Sequence, residues 1–276
     1  MSWTRTAVGL VKACHPEPTL AVAAGAGLLA AAAGLSPAGI ATVTAVVFTS
    51  QLSIGWHNDW LDAERDAAVG RKDKPIVNGE LRRRTAGIAA VFAAAATPLL
   101  ALLVGWQAAV VALFALIGGL AYNWPLKLTP LSPLPYLFSF AALPAFVALA
   151  ARTAPPWWLI SAGAALGVGA HFANVLTDLD DDVATGVRGL PQRLGSRWSG
   201  AVAAVMLVTA SVLLVWGPAG PPSVVALAGL SLAVVVLVLG GYGQLRRPQG
   251  KFAFRAVMVV AVIDVTLLLA AGTSLG

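Results

Sequence analysis

Apolar residues run through the chain in long blocks broken by short polar stretches, and the blocks show no alternation of apolar and polar positions. Crossing a bilayer takes about 20 residues, with allowance for tilt. Blocks of that order run over approximately 18–34, 37–57, 85–104, 106–122, 133–151, 156–175, 199–216, 222–242 and 252–272. They predict helices, because backbone facing lipid must satisfy its own hydrogen bonds, and a barrel would need the missing alternation. The expected fold is an all-α membrane protein of nine transmembrane helices in one bundle. Pro and Gly residues around Pro16, Gly105, Pro125, Pro155 and Gly217 mark turns, and no linker divides the chain, so residues 1–276 are expected to form a single domain.

Composition excludes an ordinary soluble domain: 58% of residues are hydrophobic, 11% are charged and the mean hydropathy is +0.82, against about 25% charged in soluble proteins. A net charge of +6 raises the question of nucleic acid, but the basic residues stand in the connections, where topology accounts for them, and no nucleic-acid partner is expected. Arg5 and Lys12 precede the first block, seven Arg and Lys residues from Arg65 to Arg84 follow the second, and Lys127, Arg188, Arg193, Arg197, Arg246, Arg247 and Lys251 fall on the same side. Only Arg152 lies opposite. The positive-inside rule therefore places the N-terminus in the cytoplasm and the C-terminus outside a multi-pass protein of the cell membrane. The first block, with its Ala-x-Ala sequences, resembles a signal peptide, but the charge asymmetry works with it retained as a span. Cys14, the single cysteine, allows no intrachain disulfide and is expected to be buried or interfacial.

Two polar stretches differ from the rest in their acidity. Asn58, Asp62, Asp66, Gly70, Pro75 and Gly79 recur, 116 positions later, as Asn174, Asp178, Asp182, Gly186, Pro191 and Gly195, which predicts an internal duplication relating the second and third spans to the sixth and seventh. On a helix the i, i+4, i+8 spacing confines Asn58, Asp62 and Asp66 to an arc of about 80°, with Asp59 adjacent, and the same holds for Asn174, Asp178 and Asp182. Like charges so arranged repel, and each ionised group near a bilayer costs about 2.5–3.5 kcal/mol. Solvent and the neighbouring Arg and Lys residues would compensate a single charged helix end. Two rows in matched register point instead to a divalent metal; all-oxygen ligands without a His or Cys cluster favour Mg²⁺, with a phosphate-bearing ligand completing its shell. Arg71, Lys72 and Lys74 are then candidates to neutralise outer phosphate oxygens. At the end of the fourth span, on the same side, Tyr122 offers a hydroxyl or ring face and Lys127 a cation within reach of a diphosphate, although an interfacial aromatic belt with a snorkelling Lys has the same pattern.

With nine spans, N-D-x-x-D-x-x-x-D at Asn58–Asp66, D-x-x-x-D at Asp178–Asp182 followed by G-x-x-x-L-P-x-R-L-G from Gly186 to Gly195, and the Tyr122–Lys127 segment, the chain resembles the UbiA superfamily of intramembrane prenyltransferases over essentially its whole length. The resemblance implies a bundle around a central cavity and Mg²⁺ held by Asn58, Asp59, Asp62, Asp66, Asp178 and Asp182. It further implies diphosphate bound by Lys74, Lys127, Arg71, Lys72 and Arg188, and Tyr122 steadying an allylic carbocation. The donor is then a polyprenyl diphosphate drawn from membrane lipid, and the expected acceptor is aromatic, of quinone-precursor type. Transfer to a sugar phosphate, glycerol phosphate or porphyrin, or cyclisation without an acceptor, are the alternatives, and a secondary transporter is the alternative of another class. Members often carry Arg-Pro before the first span where this chain has His15-Pro16, which makes His15 a candidate acceptor contact. His57, His171, Asn174 and Gln51 are further pocket candidates, with Ser53 beside Gln51. Asp264, inside the ninth span, is an ionisable residue without an evident partner.

Overall fold

The computed structural model describes residues 3–246 and 252–272, without the side chains of Thr177, Asp178, Asp180, Asp181 and Gln244. Arg247 and Lys251, counted above for topology, lie outside the described residues. Among the described residues the chain forms helices and turns without a strand: α1 (Trp3–Ala13), α2 (Pro16–Ala32), α3 (Pro37–Ala68), α4 (Arg83–Ala101), α5 (Trp106–Asn123), α6 (Pro133–Ala150), α7 (Trp157–Ala184), α8 (Leu190–Trp216), α9 (Val224–Arg246) and α10 (Phe252–Gly272). Eight of them, α3 to α10, are long and apolar enough to cross a membrane. The expected first span, α2, is 17 residues long.

One feature differs from the sequence expectation. Helix α1 was not predicted: it is short and amphipathic, and it is tied down by polar contacts that no apolar run announces. Lys12 Nζ donates to both Glu80 oxygens at 3.0 and 2.9 Å, and Trp56 Nε1 donates to Leu10 O at 2.8 Å. The acidic rows lie on helix, as their spacing requires: α3 and α7 continue through them to Ala68 and Ala184. Both helices end in the same way. Gly70 (φ 73°) and Gly186 (φ 82°) take the left-handed conformation that a residue without Cβ adopts at no steric cost. Behind them Arg71 N donates to Asp66 O at 3.0 Å and Val187 N to Asp182 O at 2.9 Å, so each last Asp carbonyl is capped by the residue five positions on. Gly79 and Gly195, at φ 76° and 77°, repeat the correspondence nine positions later.

Consecutive helices pack against each other, α3 on α4, α5 on α6, α6 on α7 and α7 on α8, and α10 closes the row against α8, α9, α2 and α7. Lipid gives no hydrophobic drive between helices, so close approach by small residues and polar bonds must supply the attraction. The core is accordingly rich in alanine around Leu29, Val43, Val46, Phe146, Val147 and Leu159. Along α7, Gly167 is the tightest case: a Cβ there would stand 2.4 Å from Tyr136 O and 2.6 Å from Phe140 Cβ on α6. Gly167→Val is expected to lower stability by about 1–3 kcal/mol, read as unfolding at lower SDS mole fraction. Asp264 finds its partner on α8: Ser211 Oγ donates to Oδ1, and the residue is fully buried.

Candidate active site

The carboxylates of the first row lie on the last turns of α3 and are buried, with Asp59 2%, Asp62 8% and Asp66 5% exposed. Like charges so placed need counter-charge, and the chain supplies it from residues distant in sequence. Lys127, on the turn between α5 and α6, donates from Nζ to both oxygens of Asp62, at 2.7 and 2.6 Å. Arg65 adds a bond to Asp62 Oδ2 at 2.8 Å, and Asn58 Nδ2 stands 3.2 Å from the same oxygen. Burial holds the Lys127 ammonium below the ordinary lysine range, and the adjoining Asp62 works against that shift. Asp59 is held through Oδ1 alone, by Lys74 Nζ at 2.7 Å and His15 Nε2 at 3.3 Å. Its Oδ2 is buried without a hydrogen-bond partner, and the Asp66 carboxylate accepts no hydrogen bond among the described residues.

The second row is reached through the same turn. The carbonyl of Lys127 and Oγ of Ser132 lie so close to Gly189, at the start of α8, that a Cβ there would meet them at 2.9 and 2.8 Å. Ser132 Oγ accepts from Leu190 N at 3.0 Å and stands 3.1 Å from His171 Nε2. Gln192 Nε2 donates to Asp182 Oδ2 at 2.8 Å. The Asp178 side chain lies outside the described residues, and Asn174 is exposed. Tyr122, half-buried, is within electrostatic range of both Asp62 and Asp182. It meets Tyr136 edge-on at 5.0 Å and His171 at 5.5 Å between ring centroids, and Tyr136 lies 4.8 Å from His171 and 6.0 Å from Phe140. Below this aromatic wall a cavity of about 60 Å³ is lined by Gln51, Ile54, Ser139, Phe140, Leu143 and Phe146.

The structure thus holds Asn58, Asp62 and Lys127 in one hydrogen-bonded group and Asp59, Lys74 and His15 in a second on the same helix end, with Tyr122 and His171 nearby. Arg71 forks onto Asp73, with Nε 3.0 Å and Nη2 2.9 Å from its carboxylate oxygens, and Lys72 and Arg188 are exposed, without ion pairs among the described residues. Three contributors were not singled out from sequence: Asn123, Ser132 and Gln192. Asn123 is 2% exposed and joins three groups, donating to Ile54 O at 2.8 Å, accepting from Asn58 at 3.3 Å and standing 3.3 Å from His57 Nδ1. The available signal was a side-chain amide next to Tyr122 at the end of an apolar helix.

Among the described residues no group of three or more His, Cys, Asp or Glu side chains is gathered as a ready metal cage. Mg²⁺ does not require one, since it binds through one or two carboxylates with water and phosphate oxygens. The orphaned Asp59 Oδ2 and the unbonded Asp66 carboxylate are hard oxygen donors of that kind, so the residues present fit the ion.

Comparison with known proteins identifies sequence relatives and a shared fold. The profile of the UbiA prenyltransferase family matches residues 19–263. Digeranylgeranylglyceryl phosphate synthase of Thermococcus gammatolerans is 30% identical over 222 residues, 74% of this chain and 76% of that protein. The bacteriochlorophyll synthase 33 kDa chain of Cereibacter sphaeroides is 27% identical over 213 residues, 70% of this chain and 67% of that one. A structure of a UbiA homologue from Archaeoglobus fulgidus bound to GPP and Mg²⁺ superposes with a TM-score of 0.71 at 14% identity, covering 95% of this chain and 99% of that one.

Proposed function

The chain belongs to the UbiA prenyltransferase family, and from that membership we propose that it transfers a polyprenyl group from a polyprenyl diphosphate to a membrane-soluble acceptor with release of diphosphate. The transporter alternative has no part in this family. The observation that carries the reading is the buried row of Asp59, Asp62 and Asp66 with Lys74 and Lys127 seated directly on it. Carboxylates and cations in that contact are the two halves of a diphosphate site.

Asn58, Asp59, Asp62, Asp66, Asp178 and Asp182 are the residues that would hold Mg²⁺, the ion with which a UbiA homologue of the same fold has been solved alongside GPP. When bound, the ion supplies positive charge to the diphosphate leaving group. Lys74 and Lys127 hold the diphosphate oxygens, with Arg71, Lys72 and Arg188 as outer contacts. The allylic C–O bond breaks, leaving the prenyl cation against the faces of Tyr122 and Tyr136. The apolar bundle keeps water from that cation. The acceptor's nucleophilic atom then forms the new bond and gives up its proton, and His15, Gln51, His171 and Asn174 are the candidates to orient it; His57, expected among them, lies on the flank of α3 turned from the carboxylates.

The relative from Thermococcus favours a glyceryl phosphate hydroxyl as acceptor, ahead of the aromatic quinone precursor expected from the sequence. The bacteriochlorophyll synthase keeps a tetrapyrrole in the second place. We read the fold as one domain over 1–276, with nine spans once the 17-residue α2 is included. The matching ends of α3 and α7 support an internal duplication. The protein is integral to the membrane, and its acidic rows are assigned to the cytoplasmic side of the cell membrane. Membranes containing the protein, given labelled geranyl to decaprenyl diphosphates and a prenylated glyceryl phosphate, a quinone precursor or a tetrapyrrole in turn, should prenylate the glyceryl phosphate fastest. Faster labelling of the quinone precursor would reverse the acceptor assignment.

A ring face desolvated beside a cation is worth about 2 kcal/mol or more, close to 30-fold in rate. Tyr122→Leu is therefore expected to lower kcat by roughly 30-fold and Tyr122→Phe by less than about threefold. Equal losses in the two variants would move the role from the ring to the hydroxyl.

A further inference from the structure

A second and larger cavity, of about 660 Å³, opens on the outer flank of the bundle between α3, α4 and α5. Its volume falls within the range of about 300–1,000 Å³ occupied by small-molecule sites. It is not the site described above. Ser53, His57 and Trp60 line it from α3, and at 100° per residue His57 points about 140° away from Asp62, so the groove lies on the flank of α3 turned from the carboxylates. The α4 wall includes Val91 and Phe92 and the α5 wall Leu120, so the length of the groove is apolar. Gly87 leaves room for the floor: a Cβ there would stand 3.0 Å from the Trp60 ring.

One end of the groove is different in kind. Arg84, exposed in the first turn of α4, makes no hydrogen bond or ion pair among the described residues, and neither does the Trp60 indole N–H. Asn123 Nδ2 stands 3.3 Å from His57 Nδ1, which makes Nδ1 the acceptor and leaves the proton of the neutral imidazole on Nε2. The rim therefore offers three kinds of donor. No carboxylate lines the groove, and the nearby Glu64 is engaged by Arg83 at 2.5 Å. A rim of donors without acceptors, above an apolar trough open to lipid, matches an amphiphile with a phosphate head. A diphosphate would need a metal, and no carboxylate stands here to hold one.

We propose that this groove binds one anionic phospholipid, drawn from the leaflet at the end of the bundle that carries the acidic rows. Its phosphate rests on Arg84, Trp60 and His57, and one acyl chain lies along Val91, Phe92 and Leu120. The site is joined to the catalytic one by hydrogen bonds, because His57 contacts Asn123, Asn123 contacts Asn58, and Asn58 contacts Asp62. Lipid binding would therefore steady the head of the first acidic row from the opposite flank of α3.

The test uses the full-length protein in neutral detergent, titrated with phosphatidylglycerol or phosphatidylcholine and followed by native mass spectrometry and tryptophan-monitored melting. Wild type is expected to retain one phosphatidylglycerol in preference to phosphatidylcholine by about tenfold, with a raised Tm. Arg84→Gln, which removes the unpaired cation, and Val91→Trp, which fills the trough at a position 69% exposed, should each lose that retention about tenfold. Arg82→Gln, an exposed cation outside the lining, should keep it. Unchanged retention in Arg84→Gln and Val91→Trp, or equal retention of the two lipids, would overturn the proposal. Displacement of the lipid by a prenyl diphosphate or a prenylated glyceryl phosphate would overturn it in favour of a substrate site. These readouts need no turnover, so they stand or fall separately from the transfer reaction.

Discussion

Asp62→Ala is expected to have the largest effect of any single substitution in this chain, and on two observables at once. The side chains of Lys127 and Asp62 are 9% and 11% exposed, and both Asp62 oxygens accept from the Lys127 ammonium. Removing the carboxylate leaves a buried cation without compensation, which costs about 3–5 kcal/mol. It also removes a group assigned to the charge of the leaving diphosphate, a loss of roughly 10²–10³ in kcat for an electrostatic contact of this type. The two effects separate in the double variant. Asp62→Ala combined with Lys127→Met replaces a buried ion pair by apolar groups and should recover most of the stability, while activity stays at the level of Asp62→Ala or below. Melting curves and prenyl-transfer rates on the four proteins of this cycle give the answer. Recovery of activity together with stability would show that Asp62 acts only in folding.

Lys74→Met comes second. Asp59 is 2% exposed, its Oδ2 is already without a partner, and loss of Lys74 leaves His15 as its remaining contact among the described residues. Stability should fall by about 3 kcal/mol, as for other buried pairs broken on one side. A charge-assisted hydrogen bond to the donor is worth about 1.5–3 kcal/mol, so the KM for the prenyl diphosphate should rise roughly 10- to 100-fold. Arg71→Gln serves as the contrast: its guanidinium is half-exposed on Asp73, and the change in KM should stay within about threefold. Comparable effects in Lys74→Met and Arg71→Gln would place the diphosphate further out, on the loop after α3.

Much of this site is written in the sequence because charge is rare in so apolar a chain. The i, i+4, i+8 rows at Asn58–Asp66 and Asn174–Asp182 stand out for that reason, and the structure places Asp59, Asp62 and Asp66 on one helix end, as the spacing requires. The extent of α3 and α7 was less legible. The helix stop is set by Gly70 and Gly186, whose left-handed φ becomes meaningful only with the capping bonds beside them. Helix α1 escaped because its folding depends on Glu80 and Trp56, far along the chain. The direct seating of Lys127 on Asp62 spans 65 positions, and nothing local in either segment selects the other. The same holds for Asn123, Ser132 and Gln192, which are ordinary polar residues until the fold brings their partners to them.

The most direct test of prenyl transfer at the acidic rows follows both products of one reaction, diphosphate release and the mass of the acceptor, in membranes containing either wild type or Asp62→Ala. With a labelled polyprenyl diphosphate and a prenylated glyceryl phosphate, wild type should release diphosphate and add one prenyl unit to the acceptor only when Mg²⁺ is present, and Asp62→Ala should do neither. Release that persists in EDTA, or that survives Asp62→Ala, would contradict the account.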